Sequence, residues 1–243
     1  MKQIKFILFS ILFFNALYIV GQEQVLSAES ASKIIKAINQ SILNAKNFSA
    51  KLEYNIYKSH SDTNAFKTTT GYYRRNGSLE HSMLVGIETI QNETERLVID
   101  TGSRSLMLSN PNPKVQMIDE NMNVALTMCK KITKTTMNGI SVLRFYPAEK
   151  TNTGFSMIEI KYSESHFFIQ SLTLYYLNAV IPEFENIKNP KIEIVYTEVS
   201  TSRIAKSEFE TAAFIERKNN KYNLTKSYNS FSFNNQIILN KNL

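Results

Sequence analysis

Tryptophan is absent from this chain of 243 residues, and cysteine, histidine, proline and glycine are scarce. Each shortage closes a route. The single cysteine, Cys129, forbids an internal disulfide. The three histidines, His60, His81 and His166, lie far apart with no Cys or acidic partner at ligand spacing, so no zinc pattern forms. Seven dispersed glycines provide no phosphate-cradling loop. Cys129 has no credible base nearby in sequence, which favours a buried thiol over a nucleophile. No metal and no cofactor are implied. The formal charge of +7 is mild. Its basic residues are scattered, with short clusters at Arg74-Arg75, Lys130-Lys131 and Arg217-Lys218, so no nucleic-acid stripe emerges.

What is present starts at the amino terminus. Lys2 and Lys5 precede an apolar run from Phe6 to Val20, broken only by Ser10 and Asn15, and Gly21 follows. Fifteen residues are too few to cross a bilayer as a helix, for which about 20 are needed. The pattern is that of a signal peptide over residues 1–21, cleaved after Gly21, which directs the mature chain to the periplasm or beyond. Acylation as a lipoprotein needs a thiol immediately after the cut, and Cys129 is far away. Residues 22–216 are read as one domain and 217–243 as an Asn-rich extension.

From Ser27 to Phe48, Ala31, Ile34, Ile35, Ile38, Ile42 and Ala45 recur at steps of three and four, which predicts an amphipathic helix capped by Ser27 or Ser30. The period then changes to two. Leu52, Tyr54 and Ile56 alternate with polar residues, as do Ile158, Ile160 and Tyr162; Leu172, Leu174 and Tyr176; and Ile192, Ile194 and Tyr196. Further strands are expected at 66–75, 79–84, 96–100, 105–109, 115–118 and 140–146, separated by turn signals such as Asn76-Gly77 and Asn138-Gly139. Residues Asp119 to Ile132 lose the alternation and read as a second helix, with Met122, Leu126 and Cys129 on one side. The fold class is α+β: a strongly curved antiparallel sheet of about ten strands, an incomplete barrel covered by the two helices.

An export signal, an initial amphipathic helix and a run of strands with a helical insertion resemble the LolA family of periplasmic lipoprotein carriers and their LolB-like relatives. Phe48-Ser49-Ala50-Lys51-Leu52 is similar to the family's passage from helix to first strand. Gly71-Tyr72-Tyr73-Arg74-Arg75-Asn76-Gly77 resembles its strand of glycine, aromatic and basic residues. Leu97 to Gly102 followed by Ser105 to Leu108 resembles its hairpin with an Asp-Gly turn, and Lys206 to Ile215, centred on Phe209, resembles a late segment. The chain departs from the family in lacking the tryptophan many members carry near the basic strand, and in its tail, which leaves the cargo open.

The resemblance implies a half-barrel with a helical lid whose apolar hollow holds acyl chains of a lipid or lipidated protein. The residues it brings to that hollow are Tyr73, Arg74, Arg75, Leu97, Ile99, Leu106, Leu108, Met122 and Leu126. Arg74 or Arg75 matches an arginine that would regulate lid closure. On this reading the chain is an exported, non-enzymatic carrier, with envelope proteins as further partners. The rival motif is Val98-Ile99-Asp100-Thr101-Gly102-Ser103, the way aspartic proteases present a catalytic carboxylate. Only one such site exists, so that chemistry requires a homodimer; Asp-Thr-Gly is also a hairpin turn. A third reading is an envelope component that uses the fold as an interaction surface.

Overall fold

In a computed structural model, residues 22–112, 126–149, 153–177, 187, 189–219 and 221–237 are described. The elements are β1 (Gln24–Val25), α1 (Ala28–Asn44), β2 (Asn47–Tyr57), β3 (Lys67–Asn76), β4 (Leu79–Leu84), β5 (Ile87–Gln91), β6 (Arg96–Asp100) and β7 (Ser105–Ser109). There follow β8 (Cys129–Met137), β9 (Ile140–Pro147), β10 (Phe155–Ser163), β11 (Ile169–Tyr176), β12 (Lys191–Ser200), β13 (Ile215–Lys218), β14 (Lys221–Leu224) and β15 (Ser232–Asn235). Thirteen strands form one open sheet in the order β1-β8-β9-β10-β11-β12-β2-β3-β4-β5-β6-β7-β15, while β13 and β14 form a separate hairpin. All ladders of the sheet are antiparallel except that of β15 with β7.

Helix α1 forms where the 3.6-residue period predicts it. Ser27 caps it by accepting the Ser30 amide at 3.1 Å, and Glu29 places negative charge at the positive end of the helix dipole. Its stripe of Ala31, Ile35, Ile38 and Ile42 is buried on the sheet.

Paired residues on neighbouring strands project to the same side, so the register traces each face across the sheet. One row runs Ile132, Phe145, Ile158, Leu174, Ile192, Ile56 from β8 to β2. That face is apolar: Ile132, Phe145 and Ile158 pack with α1, while Leu174, Ile192 and Ile56 form a separate cluster with Ile187. The opposite face of the same strands carries Thr133, Arg144, Glu159, Thr173, Glu193 and Asn55, tied by Arg144 Nε to Glu159 at 2.7 Å and by the Tyr57 hydroxyl to Glu193 at 2.8 Å.

Beyond β3 the polarity inverts. Continuing from Phe48, the helix-side row reads Arg75, Glu80, Gln91, Arg96, Ser109. The apolar residues Ile90, Leu97, Ile99, Leu106 and Leu108 lie on the other face, covered by Phe214, Ile215, Tyr222, Leu224, Tyr228, Phe231, Phe233 and Ile237 of the C-terminal segment. Gly71 marks the crossing between the two regimes: a Cβ there would sit 2.0 Å from the Met83 carbonyl oxygen, so only glycine lets β3 and β4 approach.

The sequence expectations need two corrections. Thirteen strands replace the expected ten, because short or polar strands such as β1, β5 and β15 carry too little alternation to be seen. The expected mid-chain helix does not extend to Ile132: Cys129–Met137 is strand β8, where Ile132 meets the core among Lys and Thr. The first half of that helix, residues 119–125, the strand expected at 115–118 and the leader lie outside the described residues.

Candidate functional site

The helix-side face is where an apolar ligand would have to go, and α1 occupies it. Both attachments of its C-terminal end are polar. Arg75 donates from Nη1 to the Ile42 carbonyl, one of the four acceptors that a helix leaves open in its last turn. Ser41 donates its hydroxyl to the Phe167 carbonyl in the β10–β11 turn at 3.1 Å.

At the far end of the face a pocket of about 130 Å³ remains between β8, β9 and β10. It is lined by Leu126, Cys129, Phe145, Pro147, Thr153, Phe155 and Ile158. Phe145 and Ile158 are register partners that present their side chains together, and Cys129 is the partner of Pro147. Burial pushes the Cys129 thiol up, keeping it neutral in an apolar wall. A cavity of about 150 Å³ with such a lining takes up benzene. The pocket is therefore large enough for the end of a hydrocarbon chain and too small for a whole ligand, which needs roughly 300 Å³ or more.

The basic strand splits its predicted residues between faces. Tyr73 and Arg75 are buried on the helix side, with Tyr73 against Phe48 at 6.1 Å between ring centroids. Among the described residues the Tyr73 hydroxyl and Arg75 Nε have no hydrogen-bond partner. Burial raises the Tyr73 phenol far above its ordinary range, and it raises the carboxyl of Glu80, the register partner of Arg75. Arg74 points the other way, pairing with Glu208 and lying 4.6 Å from the centroid of the Tyr72 ring. Beside it His81 sits between the Glu88 carboxylate at 2.7 Å and the Glu208 carbonyl at 2.7 Å, which pins the turn at Lys206–Phe209 to the sheet.

Among the remaining predicted residues, Leu126 joins both the helix-side core and the pocket. Leu97, Ile99, Leu106 and Leu108 stand together on the opposite face, beneath the C-terminal segment, and Met122 lies outside the described residues. The sequence reading missed Phe145, Pro147 and Phe155 as lining residues; Phe145 stood in an expected strand, and its alternation with Leu143 was the available signal. Asp100 accepts the amides of Gly102 at 2.9 Å and Ser103 at 3.1 Å, and hydrogen bonding from the Ser103 side chain, with these amides, holds its carboxyl below the usual range.

No family model and no curated protein matches the sequence. Solved structures do. The chain is similar to a conserved protein from Thermus thermophilus, with 9% identity, a TM-score of 0.44, and 86% of this chain and 98% of that chain covered. It is similar to a LolA superfamily protein from Nitrosomonas europaea, with 7% identity, a TM-score of 0.29 and coverage of 77% and 99%. An outer membrane lipoprotein-sorting protein domain from Vibrio parahaemolyticus matches with 11% identity, a TM-score of 0.31 and coverage of 76% and 98%. The resemblance to the LolA superfamily is thus one of fold and weak, and the functional reading rests on this chain's own geometry. Among the described residues no helix is long and apolar enough to cross a membrane.

Proposed function

We propose that this chain is an exported, non-enzymatic carrier that holds acyl chains of a lipid or lipidated protein between α1 and the helix-side face of the sheet. It works in the periplasm or beyond, with its leader removed. The observation that carries the reading is the arrangement of α1: a helix laid over an apolar core and tied near its C-terminal end by Arg75, with an unfilled apolar pocket bordering that core between β8, β9 and β10.

The pocket of about 130 Å³ is too small for a full chain while α1 is seated, so loading there calls for the helix to lift. Four side chains of α1 then leave the face and methylenes take their place, each contributing about 0.8 kcal/mol. Breaking the Arg75 bond leaves a buried guanidinium short of an acceptor, which makes the seated state the resting one. Arg75, rather than Arg74, is the residue suited to regulate closure. The hydrolase reading finds less support, since the Asp100 carboxylate caps its own turn.

Organic extraction of the purified chain followed by mass spectrometry should recover acyl chains, and a fluorescent fatty acid should bind saturably. Ile158→Trp, which fills the pocket, should weaken the probe about tenfold or more. A protein that yields no lipid and ignores the probe sinks the carrier reading.

A further inference from the structure

The C-terminal segment reads as a peptide docked on the protein. Strand β15 lies parallel to the edge strand β7 with Ser232, Phe233, Asn234 and Asn235 opposite Ser105, Leu106, Met107 and Leu108. The Ser232 amide donates to the Arg104 carbonyl at 2.9 Å, and the Gln236 amide to the Leu108 carbonyl at 2.7 Å. Alternate side chains Phe231, Phe233 and Ile237 reach the apolar cluster of Ile90, Leu97, Ile99, Leu106 and Leu108. Arg104 lies 5.7 Å from the Phe231 ring centroid and donates to the Ser230 hydroxyl at 2.5 Å. Main-chain ladder bonds give such a site its affinity and the pockets for alternate side chains its specificity, which is the physics of strand addition.

We infer that β7 and its apolar face form a strand-accepting groove that takes the C-terminal strand of a second copy of this chain in exchange for its own. This does not depend on the acyl-carrier reading. The burial is asymmetric. The groove residues are completely enclosed, whereas Ser232, Asn234, Asn235 and Gln236 stay exposed and Phe231, Phe233 and Ile237 are half-buried. The segment is therefore an outer cover, with its polar side in solvent and its apolar side on the groove. Its ladder bonds are all made to residues 104–108, so a second copy supplies the same ladder partners, while the ring contacts of Tyr228 with Phe214 and Phe231 are given up in the hinge. A hinge is available just before it, where the turn at Lys226–Tyr228 is followed by the exposed Asn229 and Ser230. Opening that turn to extended chain over residues 226–230 gives a reach of about 17 Å and lifts only Tyr228 from the rim of the groove. Exchange of a terminal element on such a hinge is a low-cost route to a dimer.

The register supplies the test. In full-length Cys129→Ser protein, Met107→Cys and Asn234→Cys are introduced separately and together; these positions are register partners, and adjacent strands fall within disulfide range. The double variant should close within one chain, which checks the register. The two single variants, partly unfolded, refolded together at high concentration and oxidised, should give a mixed disulfide dimer that rises at least fivefold over a tenfold increase in concentration. Neither single variant alone should form it. Cis closure with no mixed dimer at any concentration overturns the exchange, and failure of the double variant to close overturns the groove itself. Light scattering on the unmodified chain gives an independent reading: refolding at high concentration should produce a dimer that Phe233→Ser abolishes, and a strictly monomeric chain also overturns the proposal.

Discussion

The two halves of this sheet bury opposite faces. From β8 through β12 to β2 and β3 the apolar side is the one under α1, and the polar ladder of Arg144, Glu159 and Glu193 faces outward. From β4 to β7 the apolar side is the other one, and the C-terminal segment covers it. A sheet needs only alternation to have an inside, and the inside can change sides where a close approach such as Gly71 lets the regimes meet. Among the described residues α1 packs with the first half and, from the second, with Leu84 of β4. Under the carrier proposal a ligand beneath α1 would meet Phe145, Ile158 and Leu126 rather than Leu97 or Leu106.

The strongest way to break this comparison is to empty one core at a time. Phe145→Ala should cost about 3–5 kcal/mol and Leu97→Ala about 2–5 kcal/mol, since both sites are fully enclosed. If the halves are separate in packing, hydrogen exchange should quicken near α1 in the first variant and near β13–β15 in the second. Uniform loss of protection in both would merge the two cores. A smaller effect should follow from Arg75→Met, which removes the latch: about 1–3 kcal/mol, with the last turn of α1 exchanging faster and β15 unchanged. Ser27→Ala should cost about 1 kcal/mol in urea unfolding by leaving the Ser30 amide without its cap.

The gentlest probe is acid, because the two faces of the second half carry glutamates with opposite shifts. On the tail side the hydrogen bond from His81 lowers Glu88. Its stabilising contribution is present above its unfolded value of about 4.3 and is lost as pH falls through the lower folded value. On the helix side burial raises Glu80, so its charged form opposes folding at neutral pH and that penalty is relieved as pH falls through the raised value. Glu88→Gln should therefore flatten the acid loss of stability, whereas Glu80→Gln should stabilise at neutral pH and steepen the net decline towards acid. Parallel pH profiles for the two variants would contradict the opposite placement.

Much of the first half was legible in sequence. Helix α1 and strands β2, β10, β11 and β12 follow from plain periods of 3.6 and two, because each lies between one wet side and one dry side. Alternation also groups Leu97, Ile99, Leu106 and Leu108 correctly as one surface, yet it is silent on which side that surface faces. That choice depends on residues 214–237, more than a hundred positions away. The start of β8 reads as helix because its core residue, Ile132, gives no rhythm among Lys and Thr. The polar β15 has no rhythm either, and only its ladder to β7 makes it a strand.

The strand order has one more consequence, for how the molecule is made. Residues 67–109 and 129–200 can each pleat locally as successive hairpins, but the central pairing joins β2 to β12, where Tyr57 and Glu193 stand 136 residues apart. Closing a loop of that size is slow, so the middle of the sheet is its last seam. Until Ser200 emerges, β2 has a neighbour on one flank only, and a nascent or arrested chain offers its greasy edge to whatever comes first.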